Sequence, residues 1–360
     1  MKRDLSIKTI LVLGMDGIGD IILTTPALQA IKNSIPEAKI IYVVKKPANE
    51  ILQNNPLVDT VLPYERKKGL EGIKENLQLI RRIRQQKPRV AIVFHPSLRR
   101  AIFGFLSGAK KRISYQYRHR IWNRLSTMVV PLNWPKGQTI EQVLYKKKKH
   151  FVDYYLELVS KLGVFPNNIN CTLIVSEKDI GRTNEILGSE GVSSKDKLVV
   201  LNLDAASSSR RWPVKNFIAL AKFLIKNYRV KVILTGIDRD TNFSKWILNL
   251  RDQDIINLVG KTTIMELAAV IQKAILSITG DTGPAHIAAA LGKDVVVLFG
   301  PTVPQVTGPW EKGRSIFIKK DVNCSMPCYT KECRDFRCMK AISVDEVISN
   351  TKIFLKDYKK

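Results

Sequence analysis

The chain has 360 residues, 45% of them hydrophobic, and carries 59 Lys and Arg against 32 Asp and Glu, a formal charge of +27. That length suggests two domains, and a mean hydropathy of −0.07 with no apolar run of spanning length excludes a transmembrane helix. So large a positive excess asks for an anionic partner: nucleic acid, an anionic bilayer or a polyanionic substrate. Basic clusters at residues 45–46, 66–68, 81–84, 110–112, 118–120 and 146–149 assign that partner to the first half. For any one cluster, a solvated helix face is the plain alternative.

In chain order, the opening MKRDLSIKTILVL imitates a secretory leader only faintly. Asp16 and Asp20 follow it and no small-residue cleavage site does, so residues 9–13 read as a first strand and the protein as cytoplasmic. The strand runs into Gly14-Met15-Asp16-Gly17-Ile18-Gly19-Asp20. Gly14, Gly17 and Gly19 permit a sharp turn and close backbone approach to a ligand. Their spacing, G-x-x-G-x-G, is not the dinucleotide fingerprint, and Lys45 and Lys46 stand where that fold needs an acid. This argues against an NAD enzyme. Asp20 remains, a carboxylate at the mouth of the first domain, suited to general-base work or simply to the helix dipole.

Further strands read at 39–44, 60–62 and 90–94, separated by helix patterns such as Leu70, Ile73, Leu77 and Ile80, which repeat every three to four residues. Residues 108–150 form an irregular, basic and aromatic stretch (Tyr115, Tyr117, Trp122, Trp134), followed by a helix over 151–162 and a turn at 163–168. The second half restarts with a strand at 198–203. Its carboxyl end carries Ser207, Ser208, Ser209, Arg210 and Arg211, groups able to bind a pyrophosphate. Trp212-Pro213 then leads into an amphipathic helix on Val214, Phe217, Ile218, Ala221, Leu224 and Ile225. After a strand at 231–235, Asp238-Arg239-Asp240 spells the acid-x-acid pattern of metal-dependent transferases, but a ribose contact by Asp238 or a helix cap fits the position better.

A strand at 276–279 ends in Gly280-Asp281-Thr282-Gly283-Pro284-Ala285-His286, and a last strand reads at 295–299. Pro284 suits a first helical turn, and a helix starting there aims its N–H groups and positive dipole end forward. With Asp281, Thr282 and His286 around it, this is a layout for phosphate and ribose; a ligand-free capped turn is the alternative. The whole alternation predicts parallel, doubly wound Rossmann-like domains over residues 1–165 and 190–340, a closing helix in 341–360, and ligands at the strands' carboxyl ends. Cys324, Cys328, Cys333 and Cys338 lack the paired C-x2-C knuckles of structural zinc sites. With disulfides disfavoured in the cytoplasm, reduced structural thiols come ahead of a metal, and Cys171 stands alone.

Ile18-Gly19-Asp20 with Thr25-Pro26-Ala27-Leu28, Arg210-Arg211-Trp212-Pro213, Asp281-Thr282-Gly283 with His286, and Leu298-Phe299-Gly300-Pro301-Thr302 resemble, in order and spacing, the motifs of glycosyltransferase family 9. These are the ADP-heptose:lipopolysaccharide heptosyltransferases, and the resemblance covers nearly the whole chain. It implies a GT-B fold, two Rossmann-like domains facing a central cleft, with acceptor bound by the first and ADP-sugar by the second. It implies an inverting transfer to a lipopolysaccharide-core glycolipid, with Asp20 as base and neither metal nor cofactor. Donor binding is assigned to Arg210 (where the family has a lysine), Lys215, Asp238, Asp281, Thr282, Gly283 and His286. Acceptor binding is assigned to Gly17, Gly19, Arg118 and Arg120. Ala205 and Ala206 stand where some members have threonines.

The same resemblance places the protein on the cytoplasmic face of the inner membrane, its basic half against anionic lipid, with no nucleic-acid partner. Two other readings compete. A GT-B-like sugar-nucleotide epimerase needs catalytic acids and a histidine in the second domain, and the histidines are only His95, His119, His150 and His286. A nucleic-acid-binding protein could stack bases on the aromatics among the arginines.

Overall fold

Runs of β-branched and aliphatic residues buried on both faces are the mark of parallel strands covered by helices, and this chain has two sets of them. The computed structural model describes residues 8–14, 17–135, 137–167, 169–237, 252–310, 313–324, 326–328, 333 and 335–360. It divides into two compact units, Met1–Ile174 and Val175–Lys360. In the first, the order is β1 (Thr9–Leu13), α1 (Ile18–Ser34), β2 (Lys39–Lys45), the short α2 (Glu50–Gln53), β3 (Thr60–Tyr64), α3 (Gly69–Gln85), β4 (Val90–Val93) and α4 (Leu98–Leu106). Then come β5 (Lys111–Tyr115), a 3-10 turn (Arg120–Leu125), β6 (Met128–Val130), α5 (Ile140–Lys146) and α6 (Phe151–Ser160). The sheet is parallel throughout, in the order β3-β2-β1-β4-β5-β6.

The second unit opens with α7 (Glu177–Ser189), β7 (Leu198–Asn202), α8 (Val214–Asn227), β8 (Lys231–Thr235) and β9 (Ile255–Asn257). It continues with α9 (Ile264–Lys273), β10 (Leu276–Gly280), α10 (Gly283–Ala290), β11 (Val295–Phe299) and β12 (Ser315–Lys319). Its sheet, β12-β11-β10-β7-β8-β9, is also all parallel. Counted from its own first strand, each unit has the 3-2-1-4-5-6 order of a Rossmann fold. The chain's last residues belong to the second core: Val347, Ile348, Phe354 and Leu355 pack among β7, β10 and β11 residues.

Helix α1 shows how sequence detail supports these layers. Pro26 lies inside it and removes the N–H that would bond the carbonyl of Ile22. The Thr25 hydroxyl fills the gap, donating to the Ile22 carbonyl at 2.6 Å. The same oxygen accepts the Thr172 N–H at 2.9 Å, which fastens the end of the unit to the helix. Thr24 likewise donates to the Ile21 carbonyl at 2.7 Å and lies 3.1 Å from the Tyr42 hydroxyl.

Leu70, Ile73, Leu77 and Ile80 lie on α3, as their spacing predicts, and the first three face solvent, 85%, 57% and 52% exposed. The buried face of α3 is Gly72, Leu79 and Ile83. Residues 108–150 are not irregular: they contain β5, the 3-10 turn, β6 and α5. Tyr115 and Tyr117 there are each only 1% exposed, core side chains that offer no stacking platform. Tyr115 stacks on Tyr154, with ring centroids 3.9 Å apart.

Candidate active site

In an open parallel sheet, ligands bind beyond the strands' carboxyl ends where the strand order reverses. Each unit has one such point. In the first it lies between β1 and β4; in the second, between β7 and β10.

At the first point, β1 ends at Leu13 and α1 begins after its N-cap, Gly17. Met15 and Asp16 lie outside the described residues. Asp20 sits half-buried in the first turn of α1, where a carboxylate complements the dipole. A Cβ on Gly17 would stand 2.5 Å from Asp20 Oδ2, so the absence of a side chain at Gly17 makes room for that carboxylate. Gly14 is equally constrained, since a Cβ there would overlap the Tyr42 hydroxyl at 2.0 Å. From the other side of the reversal, Arg100 reaches over from the start of α4 and donates through Nε to the Gly14 carbonyl at 2.6 Å. Ser97 caps the same helix and holds Arg100 Nη1 at 3.3 Å.

These loops enclose a cavity of about 270 Å³ lined by Leu13, Gly14, Tyr64, Arg66, Arg99 and Arg100, among others. Arg99 is fixed in its wall. Its guanidinium lies 4.7 Å from the Tyr64 ring centroid and 5.3 Å from that of Phe103, and Nη2 donates to Asn76 Oδ1 at 2.7 Å. A guanidinium clamped between rings is pre-oriented for a planar anion. The motifs along the chain do not single out Arg66, Arg99 and Arg100: Arg66 lies in the loop after β3 and the other two on the first turn of α4, and they meet because β2 pairs with β3 and β1, and β1 with β4. Arg118 and Arg120, by contrast, are exposed before and at the start of the 3-10 turn.

At the second point, Arg210 and Asp281 meet. Arg210 Nη1 lies 3.5 Å from Asp281 Oδ2 and 3.4 Å from its backbone oxygen. Asp281 is 3% exposed and takes a second bond from the Thr307 hydroxyl at 3.3 Å, so the buried charge is paired and bonded, as burial demands. The approach of the two loops is close: a Cβ on Gly280 would lie 2.8 Å from the Arg210 carbonyl oxygen. Thr282 is the N-cap of α10 and its hydroxyl lies 3.1 Å from that of Thr279. Thr279 in turn accepts from Asn202 Nδ2 at 3.2 Å, joining the ends of β7 and β10. Gly283 is the first residue of α10, and His286 is buried on it.

Trp212 anchors the β7 loop, donating its indole N–H to the Ile342 carbonyl at 2.9 Å and packing edge-on against Phe217 at 4.8 Å. Arg211 pairs with Asp204 at 3.0 Å, leaving Arg210 as the arginine that faces Asp281. Lys215 is exposed on the first turn of α8. Asp238 lies outside the described residues. One group was missed: Lys319, at the end of β12, donates to the Thr302 carbonyl at 2.7 Å. Burial lowers its pKa, against the opposing fields of Cys338 and Asp281. Among the described residues, no three His, Cys, Asp or Glu side chains are arranged to hold a metal ion. Cys171 and Cys338 are buried thiols and Cys324 is exposed.

Two six-stranded, all-parallel Rossmann-type sheets in one chain have the architecture of the GT-B class. Residues 76–337 match the family model for glycosyltransferase family 9 (heptosyltransferase). The chain belongs to that family and is a glycosyltransferase. It is 26% identical over 346 residues to lipopolysaccharide heptosyltransferase 3 of Escherichia coli K12, covering 94% of this chain and 96% of that one. In fold it is similar to a family 9 glycosyl transferase from Veillonella parvula, with a TM-score of 0.83, 24% identity and 99% of both chains covered. The E. coli ADP-heptose lipopolysaccharide heptosyltransferase II aligns with a TM-score of 0.77 and 22% identity over 97% of this chain and 99% of that one.

Proposed function

We propose that this protein transfers a heptose from ADP-heptose to a lipopolysaccharide-core glycolipid, with inversion and without a metal. The observation that supports this most is the Arg210–Asp281 pair at the head of α10, set in a chain of the heptosyltransferase family. In this reading Arg210 and the positive end of α10 meet the charge that grows on the departing diphosphate. Thr282, Gly283, His286 and Lys215 complete the donor site, and Asp238 contacts the ribose. Asp20 takes the proton from an acceptor hydroxyl as its oxygen attacks the anomeric carbon, and the bond to the diphosphate breaks in the same displacement. Gly17 and Gly19 leave room for the acceptor. The Arg66, Arg99 and Arg100 cavity suits an anionic group on it, with Arg118 and Arg120 as outer contacts. Residues 1–165 are then the acceptor domain and 190–340 the donor domain, and the site of action is the cytoplasmic face of the membrane that carries the glycolipid. No helix among the described residues is long and apolar enough to cross that membrane, which is compatible with a peripheral enzyme.

The test separates the two halves of the site. Asp20→Asn should lower transfer from ADP-heptose by about 100- to 10,000-fold, the usual worth of a general base, while calorimetric ADP affinity stays unchanged. Arg210→Ala should weaken ADP binding about tenfold or more, the loss of a charge-assisted bond, with a melting curve run alongside because Asp281 loses its partner. Wild-type transfer should persist in excess EDTA. Near-normal turnover in Asp20→Asn, or unchanged ADP affinity in Arg210→Ala, would remove the assignment concerned.

A further inference from the structure

The outward face of α3 and α4 has a composition that neither the fold nor the transferase site explains. On α3, Leu70, Ile73 and Leu77 are exposed at spacings of three and four. On α4, Leu98, Ile102 and Phe105 are 39%, 38% and 49% exposed at spacings of four and three. Such spacings place each trio on one side of its helix, away from the inward Leu79 and Ile83 of α3 and the inward Ala101 and Phe103 of α4. Both helices cover the same face of the first sheet, because Leu79, Ile83 and Phe103 share one core with Leu11, Leu13 and Val93. Arg84 Nε donates to the Leu106 carbonyl at 2.8 Å, and Arg99 reaches Asn76, so the two helices are tied side by side. Single exposed aliphatics are ordinary; six on two joined helices are a patch.

The charge around the patch is mostly positive: Glu71 and Glu75 on the first half of α3 are its acids, and Glu71 pairs with Lys67. From Asn76 to Ile140 the chain has fourteen Lys and Arg and no Asp or Glu, and that stretch includes most of α3, all of α4 and the 3-10 turn packed on α4. Lys74, Arg81 and Arg84 lie along the exposed side of α3. We propose that this face docks on an anionic bilayer, with the aliphatic side chains of α3 and α4 entering the boundary between headgroups and acyl chains and the surrounding arginines and lysines meeting lipid phosphates. A second copy of the chain fits badly, since a two-fold contact would set this strongly basic surface against itself. A nucleic acid would match the charge but leave the aliphatic side chains in water. The proposal deepens the reading of a lipid-anchored acceptor and rests on it for its purpose, though not for its test.

That test uses the full-length protein and vesicles of phosphatidylglycerol and phosphatidylethanolamine containing no acceptor. The wild type should co-sediment with them, and part of the binding should survive high salt, which screens the charges but not the apolar contact. The triple variant Leu70→Gln, Ile73→Gln, Leu77→Gln should partition about tenfold to a hundredfold more weakly, because covering even half of each aliphatic side chain is worth several-fold in affinity. Ile102→Gln with Phe105→Gln should act in the same direction. Circular dichroism and transfer to a soluble, lipid-free acceptor should stay at wild-type levels in both, as these positions are exposed. Vesicle binding of the triple variant equal to wild type overturns the proposal. So does a wild-type dimer in sedimentation velocity that the same substitutions dissolve, which would make the face a self-interface. Because the vesicles hold no acceptor, either result leaves the transferase reading standing or falling on its own assay.

Discussion

At Gly17 and Gly280 the backbone is bare because a neighbour occupies the space a side chain would need: the Asp20 carboxylate in one case, the Arg210 carbonyl oxygen in the other. The two obstacles differ in kind. A carboxylate at the end of a rotatable side chain can swing away, whereas a carbonyl oxygen moves only with its loop. Gly17→Ala is therefore expected to fold normally, with an unchanged melting temperature, yet to lose activity because Asp20 is pushed off its position. Its kcat should fall while ADP affinity holds, and a wild-type kcat would show that this placement of the carboxylate is immaterial. Legibility at this scale followed contiguity. Asp20, Arg210 and Asp281 stand in motifs a few residues long, so they are readable from the chain. Arg66, Arg99 and Arg100 gather around one cavity from a loop and a helix start more than thirty residues apart in sequence, and nothing local marks them.

Among the elements, α1 carries a proline inside its span and depends on a hydroxyl to offset it. Thr25→Val keeps the shape but leaves the Ile22 carbonyl and the Thr172 N–H without that partner. Each unmade buried bond costs about 1–3 kcal/mol, so urea unfolding should show a loss of that order or somewhat more, and Thr25→Ser should recover most of it. A second element-level link runs from α6 to β5. Glu157 accepts from Lys149 at 2.7 Å and lies 2.8 Å from the Tyr115 hydroxyl. Burial raises its pKa, but those bonds outweigh it and hold the carboxyl below its ordinary 4.5. A depressed folded pKa stabilises the fold above the unfolded value, and that stability is lost as pH falls through the folded one. The melting-temperature advantage of wild type over Glu157→Gln should thus be full near neutrality and shrink below about pH 4.5. A constant gap across that range would exclude the linkage.

The central strands β1, β8 and β11 coincide with the sequence reading at both ends, since they are continuous apolar runs. The strands that escaped it are short, at an edge, or opened by charged residues. β6 and β9 are three residues long, β5 begins with Lys111-Arg112, and β12 alternates Ser315, Phe317 and Lys319 with apolar residues. A strand that needs covering on one side only carries no continuous run. For α3 the helical period was right, but periodicity reports a stripe without saying whether the stripe meets the core or the outside.

Across the whole molecule, the two units have separate cores, which makes ligand effects separable. If ADP binds at the Arg210–Asp281 pair as proposed, it stabilises the unit that holds it by about 2.7 kcal/mol when ADP is a hundredfold above its dissociation constant. Hydrogen exchange with saturating ADP should slow chiefly within residues 175–360, strongest around β7, β10 and α10. Equal slowing throughout residues 8–174 would mean that the nucleotide contacts the first unit as well. The two-unit plan was readable because the strand–helix alternation restarts after residue 195. The line of division between Ile174 and Val175 was not, because α7 reads as connecting chain until Arg182 and Thr183 are seen holding Glu266 of α9.

Among the described residues all twelve strands run parallel within their sheets, so each unit has a rim where strands end and an opposite rim where they begin. The loops discussed above leave from the first rim; the turn around Pro36 and Glu37 ahead of β2, and that around Ser193 and Ser194 ahead of β7, enter at the second, and their side chains are exposed. That asymmetry provides handles. A dye, a biotin or a surface linker attached through Glu37→Cys or Ser194→Cys sits on the far side of its own sheet from the chemistry. The enzyme can then be tethered, counted or followed on a supported film by either unit while its reacting rim stays open.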